Sequence, residues 1–210
     1  MHIAEGVLSV PVLVTGTLLS IGGIALGLKK LDYERIPQVA LLSATFFVAS
    51  LIHIPLGFAS VHLVLNGLVG LLLGWTAFPA LWIALLLQAV FFGFGGLTVL
   101  GVNAVNMALP AVICFYLLNY PIRHASKDRI AFIYGFILGI ISIALTTFMV
   151  AMSLLATGET FLRLVQLMVI AHFPVMIIEG IISGTVIVFL RQVRPEILVV
   201  AIGQAEATRA

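Results

Sequence analysis

The run IAFIYGFILGIISIALTTFMVAMSLLAT, residues Ile130 to Thr157, holds no Lys, Arg, Asp or Glu. A helix needs about 20 mainly apolar residues to cross the hydrocarbon core of a bilayer, and this stretch exceeds that. Its surroundings resemble it. Of 210 residues, 62% are hydrophobic and 9% charged, with 10 Lys+Arg against 8 Asp+Glu, and the mean hydropathy is +1.27. Soluble domains carry roughly 25% charged residues, so a soluble globular protein is excluded. Disorder is excluded as well, because disordered chains are poor in the Val, Ile, Leu and Phe that dominate here. The one cysteine, Cys114, lies in an apolar run and reads as a small core residue, which leaves no disulfide framework and no Cys-based metal site. A net charge of +2 does not suggest nucleic acid.

The same criterion applied along the chain predicts seven spans, approximately Val7 to Leu28, Gln38 to Leu56, Ser60 to Thr76, Pro79 to Phe94, Asn103 to Tyr120, Ile130 to Thr157 and Thr160 to Leu190. The third and fourth are short and close together, which predicts a tight helical hairpin with Pro79 in the first helical turn. The expected fold is therefore an all-α integral membrane protein with about seven transmembrane helices. Residues 1–196 form one transmembrane metal-binding domain and 197–210 a short cytoplasmic tail. Loops that stay in the cytoplasm carry excess Lys and Arg. With the N-terminus outside and the C-terminus cytoplasmic, Lys29, Lys30, Arg35, Arg123, Lys127, Arg129, Arg191, Arg194 and Arg209 fall inside and Arg163 alone falls outside. The start, Met1-His2-Ile3-Ala4-Glu5-Gly6, lacks a basic n-region, so Met1 is expected to remain in the mature protein.

This orientation puts His2, His53 and His62 at the outer side and His172 near mid-membrane, with only His124 in an inner basic loop. Ionisable groups at membrane depth are costly and mark sites or pathways, although any one of them could be a packed residue bonded to a backbone carbonyl. The N-terminus adds its own chemistry. The α-amine of Met1, the amide nitrogen of His2 and the His2 imidazole can close a five-membered and then a six-membered chelate ring. Tetragonal nitrogen ligation of this kind suits Ni(II) and Cu(II), and metal binding drives off the competing protons. A neutral imidazole can fill the fourth position, and His62 is the candidate.

These residues resemble the CbiM/NikM family, the substrate-binding S components of energy-coupling-factor transporters for cobalt and nickel. The resemblance runs from Met1 to about Pro195 through Met1-His2-Ile3, Glu5-Gly6, His53-Ile54-Pro55, Ser60-Val61-His62-Leu63, Asn66-Gly67, Gln88, Gly95-Gly96-Leu97, Gly101-Val102-Asn103, Asn106-Met107, Pro110, Ala171-His172-Phe173-Pro174-Val175 and Glu179-Gly180. It implies a six-helix S-component core with an added N-terminal helix. It implies metal ligands at Met1, His2 and His62, and cobalt(II) or nickel(II) as the transported substrate. The segments Val10-Pro11 and Lys29-Lys30-Leu31-Asp32-Tyr33 lean toward the cobalt branch. Implied partners are a transmembrane coupling subunit, two ABC-type ATPase subunits and a small extra membrane subunit, in a prokaryotic cell membrane. Membrane lipid surrounds the chain.

Further polar residues are candidates for support around the metal or for a pathway. Asn66, four residues after His62, is expected on the same helical face, where it could hold the imidazole or form an interhelical hydrogen bond. Asn103 and Asn106 share a face after the loop Gly93-Phe94-Gly95-Gly96, expected to be close-packed or partly re-entrant beside the outer site. That loop lacks Walker spacing, and no Walker A motif occurs anywhere, so ATP hydrolysis has to come from partners. His172 and Glu179, two helical turns apart, are expected as a structural pair, with a proton relay as the other reading. Stripes of small residues at Gly16, Ser20, Gly23 and Gly27, at Gly135 with Gly139 and at Gly180 with Gly184 are expected to pack helices within the chain. Two other functions use the same histidines: a stand-alone channel or secondary carrier, and an intramembrane zinc enzyme on His53, His62 and His172. The first conflicts with a single deep carboxylate, Glu179, and the second with the absence of an His-Glu-x-x-His helix.

Overall fold

The computed structural model describes residues 2–51, 53–56 and 59–200, with the backbone alone described at 53–56, 59–61 and 199–200. In chain order come α1 (Val10–Lys29), a 3₁₀ turn (Tyr33–Arg35), α2 (Ile36–Ala49), β1 (His53–Leu56), β2 (Ala59–His62) and α3 (Asn66–Leu73). A second 3₁₀ turn (Gly74–Thr76) leads into α4 (Ala77–Phe92), followed by α5 (Leu100–Arg123), α6 (Asp128–Thr157), a third 3₁₀ turn (Glu159–Phe161), α7 (Leu162–Val193) and a short α8 (Pro195–Val200). Among the described residues five stretches, against seven expected spans, are by length and composition apolar enough to cross a membrane: Val10–Lys29, Asn66–Phe92, Leu100–Arg123, Asp128–Thr157 and Glu159–Val193, the second of them holding α3, the turn and α4 together. Most of the expected tail lies outside the described residues.

The departures from the seven expected spans are concentrated between Ser50 and Leu65. The second expected span stops at Ala49, after 14 residues. Beyond it the chain forms an antiparallel hairpin in which His53 pairs with His62, Ile54 with Val61, Pro55 with Ser60 and Leu56 with Ala59. Pro55 is the physical reason. It cannot donate a helical hydrogen bond, and it biases Ile54 toward extended backbone. The third expected span therefore begins at Asn66, not at Ser60, after a left-handed Leu65 with φ 52°. His62 sits on a strand and Asn66 on a helix, so the expectation that they share one helical face is wrong.

The helical hairpin is present, and Pro79 is the third residue of α4. Along α5, Asn66 donates to the Met107 carbonyl, Gly70 packs on the Ala111 backbone and the Trp75 indole donates to Tyr116 Oη. Those contacts run from near the start of α5 toward its end. Gln88 then reaches His2, whose neighbour Ile3 is bonded to Asn103 back near the start of α5. The chain has reversed at Gly74–Thr76, with Gly74 at φ 57°.

The small-residue stripes pack helices inside the chain, as expected. The buried residues of α1 are Gly16, Ser20, Gly23 and Gly27. A Cβ at Gly27 would lie 2.6 Å from the Trp75 carbonyl oxygen, so only glycine admits this approach. Between α6 and α7, Gly139 lies against the Glu179–Gly180 backbone and Gly135 against Gly184. Backbones this close gain dispersion contacts, which drive association where lipid removes the hydrophobic contribution. The opposite face of α1 exposes Val14, Leu18, Leu19 and Ile21, as a lipid-facing helix must. Cys114 is buried in the core between α3, α5, α6 and α7.

Candidate metal site

The N-terminal segment is pinned across one end of the helical bundle by two polar side chains, Asn103 of α5 and its own Glu5. Asn103 of α5 forms a two-point clamp on Ile3: its Oδ1 accepts the Ile3 amide at 3.0 Å and its Nδ2 donates to the Ile3 carbonyl at 3.1 Å. Glu5 Oε1 accepts the Thr98 amide at 2.9 Å, and this bond holds the Glu5 carboxyl below its ordinary range. Gly93, Gly95 and Gly96 all have positive φ. A Cβ on Gly95 would lie 2.9 Å from Asn103 Nδ2 and 3.6 Å from the His2 Cβ, and one on Gly96 would lie 2.7 Å from Glu5 Oε1. Glycine at φ above zero has no steric cost, and here it also leaves room for the N-terminal segment. The expected close-packed loop beside the site is observed.

Within this frame His2 and His62 are brought together. Both are buried, at 5% and 3% exposure, and their rings stack with centroids 4.7 Å apart. His2 Nδ1 faces His62 Nε2 at 3.2 Å. The outer nitrogens are tied back: His2 Nε2 bonds Gln88 Oε1 at 2.7 Å, and His62 Nδ1 donates to the Leu63 carbonyl at 2.7 Å. Gln88 Nε2 in turn donates to Ser50 Oγ, at the end of α2. Met1 and the His53 side chain lie outside the described residues. The backbone of His53 is directly opposite His62 in the hairpin.

The other expected site residues take different roles. Asn66 does not hold His62; its Nδ2 donates to the Met107 carbonyl and to Thr146 Oγ1, both at 2.9 Å, which is the interhelical alternative. Asn106 accepts from Ser153 Oγ at 3.2 Å, joining α5 to α6. His172 and Glu179 do not pair with each other. The His172 Nδ1–H donates to the carbonyl of Met168 on its own helix, while Glu179 accepts the backbone amides of Val64 and Leu65, the latter at 2.9 Å to Oε1. Those amides sit where the chain turns from strand to helix and have no helical acceptor, so a buried carboxylate satisfies them. Glu179 thereby fixes the segment that carries His62. Ser50 is absent from the residues singled out by sequence, and Gln88 stands there only within the family resemblance, with no role assigned. The available signal was a lone amide side chain in the apolar run of α4, where Gln88 is fully buried. Among the described residues no group of three or more His, Cys, Asp or Glu side chains is placed to hold a metal ion.

Comparison with known proteins agrees with this architecture. The family described as "Cobalt uptake substrate-specific transmembrane region" matches residues 2–197. A Haemophilus influenzae protein named for metal transport is 48% identical over 204 residues, covering 94% of this chain and 97% of that one. The "Cobalt transport protein CbiM" of Sorangium cellulosum is 29% identical over 214 residues, with 94% of each chain covered. The "Fused nickel transport protein NikMN" of Rhodobacter capsulatus is 37% identical over 115 residues, which is 52% of this chain and 33% of that protein. A crystal structure of a transition metal transporter superposes with a TM-score of 0.71 at 26% identity, covering 92% of this chain and 93% of that one. The chain belongs to the CbiM family: it is a multi-pass membrane component of a cobalt/nickel transporter of bacteria and archaea, and not an enzyme.

Proposed function

We propose that the chain is the substrate-capture subunit of an ATP-driven importer, taking divalent cobalt or nickel between the amine of Met1, the amide nitrogen and Nδ1 of His2, and Nε2 of His62. The observation that carries this reading is the 3.2 Å separation of His2 Nδ1 and His62 Nε2. With metal–nitrogen bonds of about 2.0–2.1 Å, two donors at right angles on one ion lie about 2.9 Å apart, so a small adjustment makes both nitrogens adjacent ligands. The chelate supplies three nitrogens in one plane and leaves the corner next to Nδ1 for the second imidazole. Asn103, Glu5 and the glycine loop hold the N-terminal segment in reach of that corner.

The cation distribution supports an outer N-terminus and a cytoplasmic C-terminus. The ion then binds from outside and is released inward when the bundle is reshaped. A transmembrane coupling subunit and two ABC-type ATPases supply the energy, since no Walker A motif occurs in this sequence. The test compares metal content in matched N- and C-terminally tagged proteins, with the N-terminal tag then cleaved to restore Met1. An N-terminal extension moves the amine away and is expected to abolish loading, and cleavage to restore it. Full loading of the uncleaved protein would mean a site made of side chains only. Co-purification with ATPases separates this function from a stand-alone carrier.

A further inference from the structure

We infer that Gln88 and Ser50 are positioning residues that set the proton on His2, so that its Nδ1 presents a lone pair to the metal. The inference deepens the proposed site and rests on it for its functional meaning. The argument follows hydrogen-bond polarity from a group that can act in one way only. The Phe47 carbonyl of α2 can only accept, and the Ser50 hydroxyl donates to it at 2.9 Å. With its proton committed, Ser50 Oγ accepts from Gln88 Nε2. An amide that points Nε2 at Ser50 points Oε1 the other way, at His2 Nε2, 2.7 Å off. Oε1 has no proton to give, so the proton of this bond belongs to His2 Nε2. A neutral imidazole protonated there has its lone pair on Nδ1.

The mirror case holds for His62. The Leu63 carbonyl takes the Nδ1 proton at 2.7 Å and leaves the lone pair on Nε2. Two lone pairs therefore face each other across 3.2 Å. That arrangement is unfavourable by itself and favourable with a cation between the nitrogens. The relay runs from α2 through α4 to the N-terminus, and all of its side chains are buried. No carboxylate takes part, so the tautomer is set without adding negative charge to the site.

The experiment uses the purified full chain with its native N-terminus in detergent and reads two quantities. Nitrogen NMR of ¹⁵N-histidine-labelled, metal-free protein reports the His2 tautomer directly, and calorimetric titration with Ni(II) or Co(II) reports affinity. Wild type is expected to show pyrrole-type Nε2 and pyridine-type Nδ1 at His2. Gln88→Leu is expected to give mixed tautomers and to bind metal about 10–100-fold more weakly, the usual effect of losing an outer-shell partner. Ser50→Ala lets the carboxamide rotate and is expected to lose less. Gln88→Glu keeps an acceptor for the Nε2 proton, so it is expected to restore both the tautomer and near-wild-type affinity, which a purely structural role for the amide does not predict.

Wild-type protein with the proton on Nδ1 overturns the inference whatever the variants do, including the case where Gln88→Leu fails to fold. Unchanged tautomer and affinity in folded Gln88→Leu overturn it too. Loss of the metal site itself is separately visible, because His2→Ala retaining full loading refutes the site while leaving the tautomer measurement on metal-free protein unaffected.

Discussion

At the residue scale, the division of labour is between atoms that would touch metal and atoms that hold them. His2→Ala and His62→Ala each remove a proposed donor and are expected to abolish nickel or cobalt binding while the protein stays folded, read by metal analysis of monodisperse protein. Asn103 hydrogen-bonds both polar groups of the Ile3 backbone. Asn103→Ala is expected to weaken binding by about 10–100-fold without abolishing it. Asn66→Ala, by contrast, breaks a bridge from α3 to α5 and α6, so a lower melting temperature with affinity unchanged is the expected result. Glu179→Ala strands the buried Val64 amide, at about 1–3 kcal/mol for an unsatisfied group, leaves the part-buried Leu65 amide without its acceptor, and also loosens the His62 segment. Both stability and affinity should fall, and calorimetry with thermal unfolding separates the two. Glu5 is an acid with a depressed pKa, so its contribution is present above the ordinary value of 4.5 and is lost only as pH falls through the lower value in the folded protein. Acid release of metal above pH 4.5 then comes from the nitrogen donors, and Glu5→Gln should leave the pH of half-loading unmoved.

At the scale of elements, the α6–α7 seam and the hairpin carry the argument. Gly139 admits no side chain, since a Cβ there would lie 2.6 Å from the Glu179 carbonyl oxygen. Gly139→Ala is expected to destabilise by about 1–3 kcal/mol, the usual range for overpacking, and to disturb the helix that bears Glu179. Gly22 on α1 has open space around its Cβ position. Gly22→Ala should raise stability by about 0.5–1 kcal/mol through helix propensity. Thermal unfolding of the two variants side by side checks the pair, and equal effects would show that the seam is not tightly packed. The hairpin explains how a half-length α3 is useful: the segment from His53 to Leu65 carries His62 back toward the N-terminus before α3 descends along α5.

At the scale of the whole molecule, the helices form a frame and the site is assembled at one end from segments distant in sequence. His2 and His62 face each other directly, Gln88 of α4 with Ser50 after α2 ties His2 to the bundle, and Asn103 of α5 and Glu179 of α7 hold the segments that carry His2 and His62. A change in how α7 sits against α6 therefore acts on His62 through Glu179, and a movement of α4 acts on His2 through Gln88. Under the proposed function, reshaping of the bundle by partner subunits would have two mechanical routes to the ion. Gly184 leaves no room for a side chain, since a Cβ there would lie 2.8 Å from the Phe132 carbonyl oxygen, so Gly184→Ala is expected to shift the seam and to lower ATP-driven uptake by the assembled complex. Undiminished uptake by a folded Gly184→Ala complex would show that this seam does not act on the site.

Much was legible in the sequence, for physical reasons that act locally. Long apolar runs imply spanning helices because an unpaired backbone is too costly in lipid, and against the seven expected spans five stretches of sufficient length and hydropathy stand among the described residues. Small residues spaced along α1, α6 and α7 announced the close seams. The hairpin at 53–62 was hidden because apolar β-branched residues read alike in a strand and in a lipid-facing helix, and Pro55 was the one local sign against a helix. The roles of Gln88, Ser50, Asn103 and Glu179 were hidden for a different reason. A hydrogen bond has a direction and a partner, and both exist only once segments far apart in the chain have been brought within 3 Å. Sequence determined which groups could bind a metal; the tertiary structure alone decided which nitrogens face each other and what holds them there.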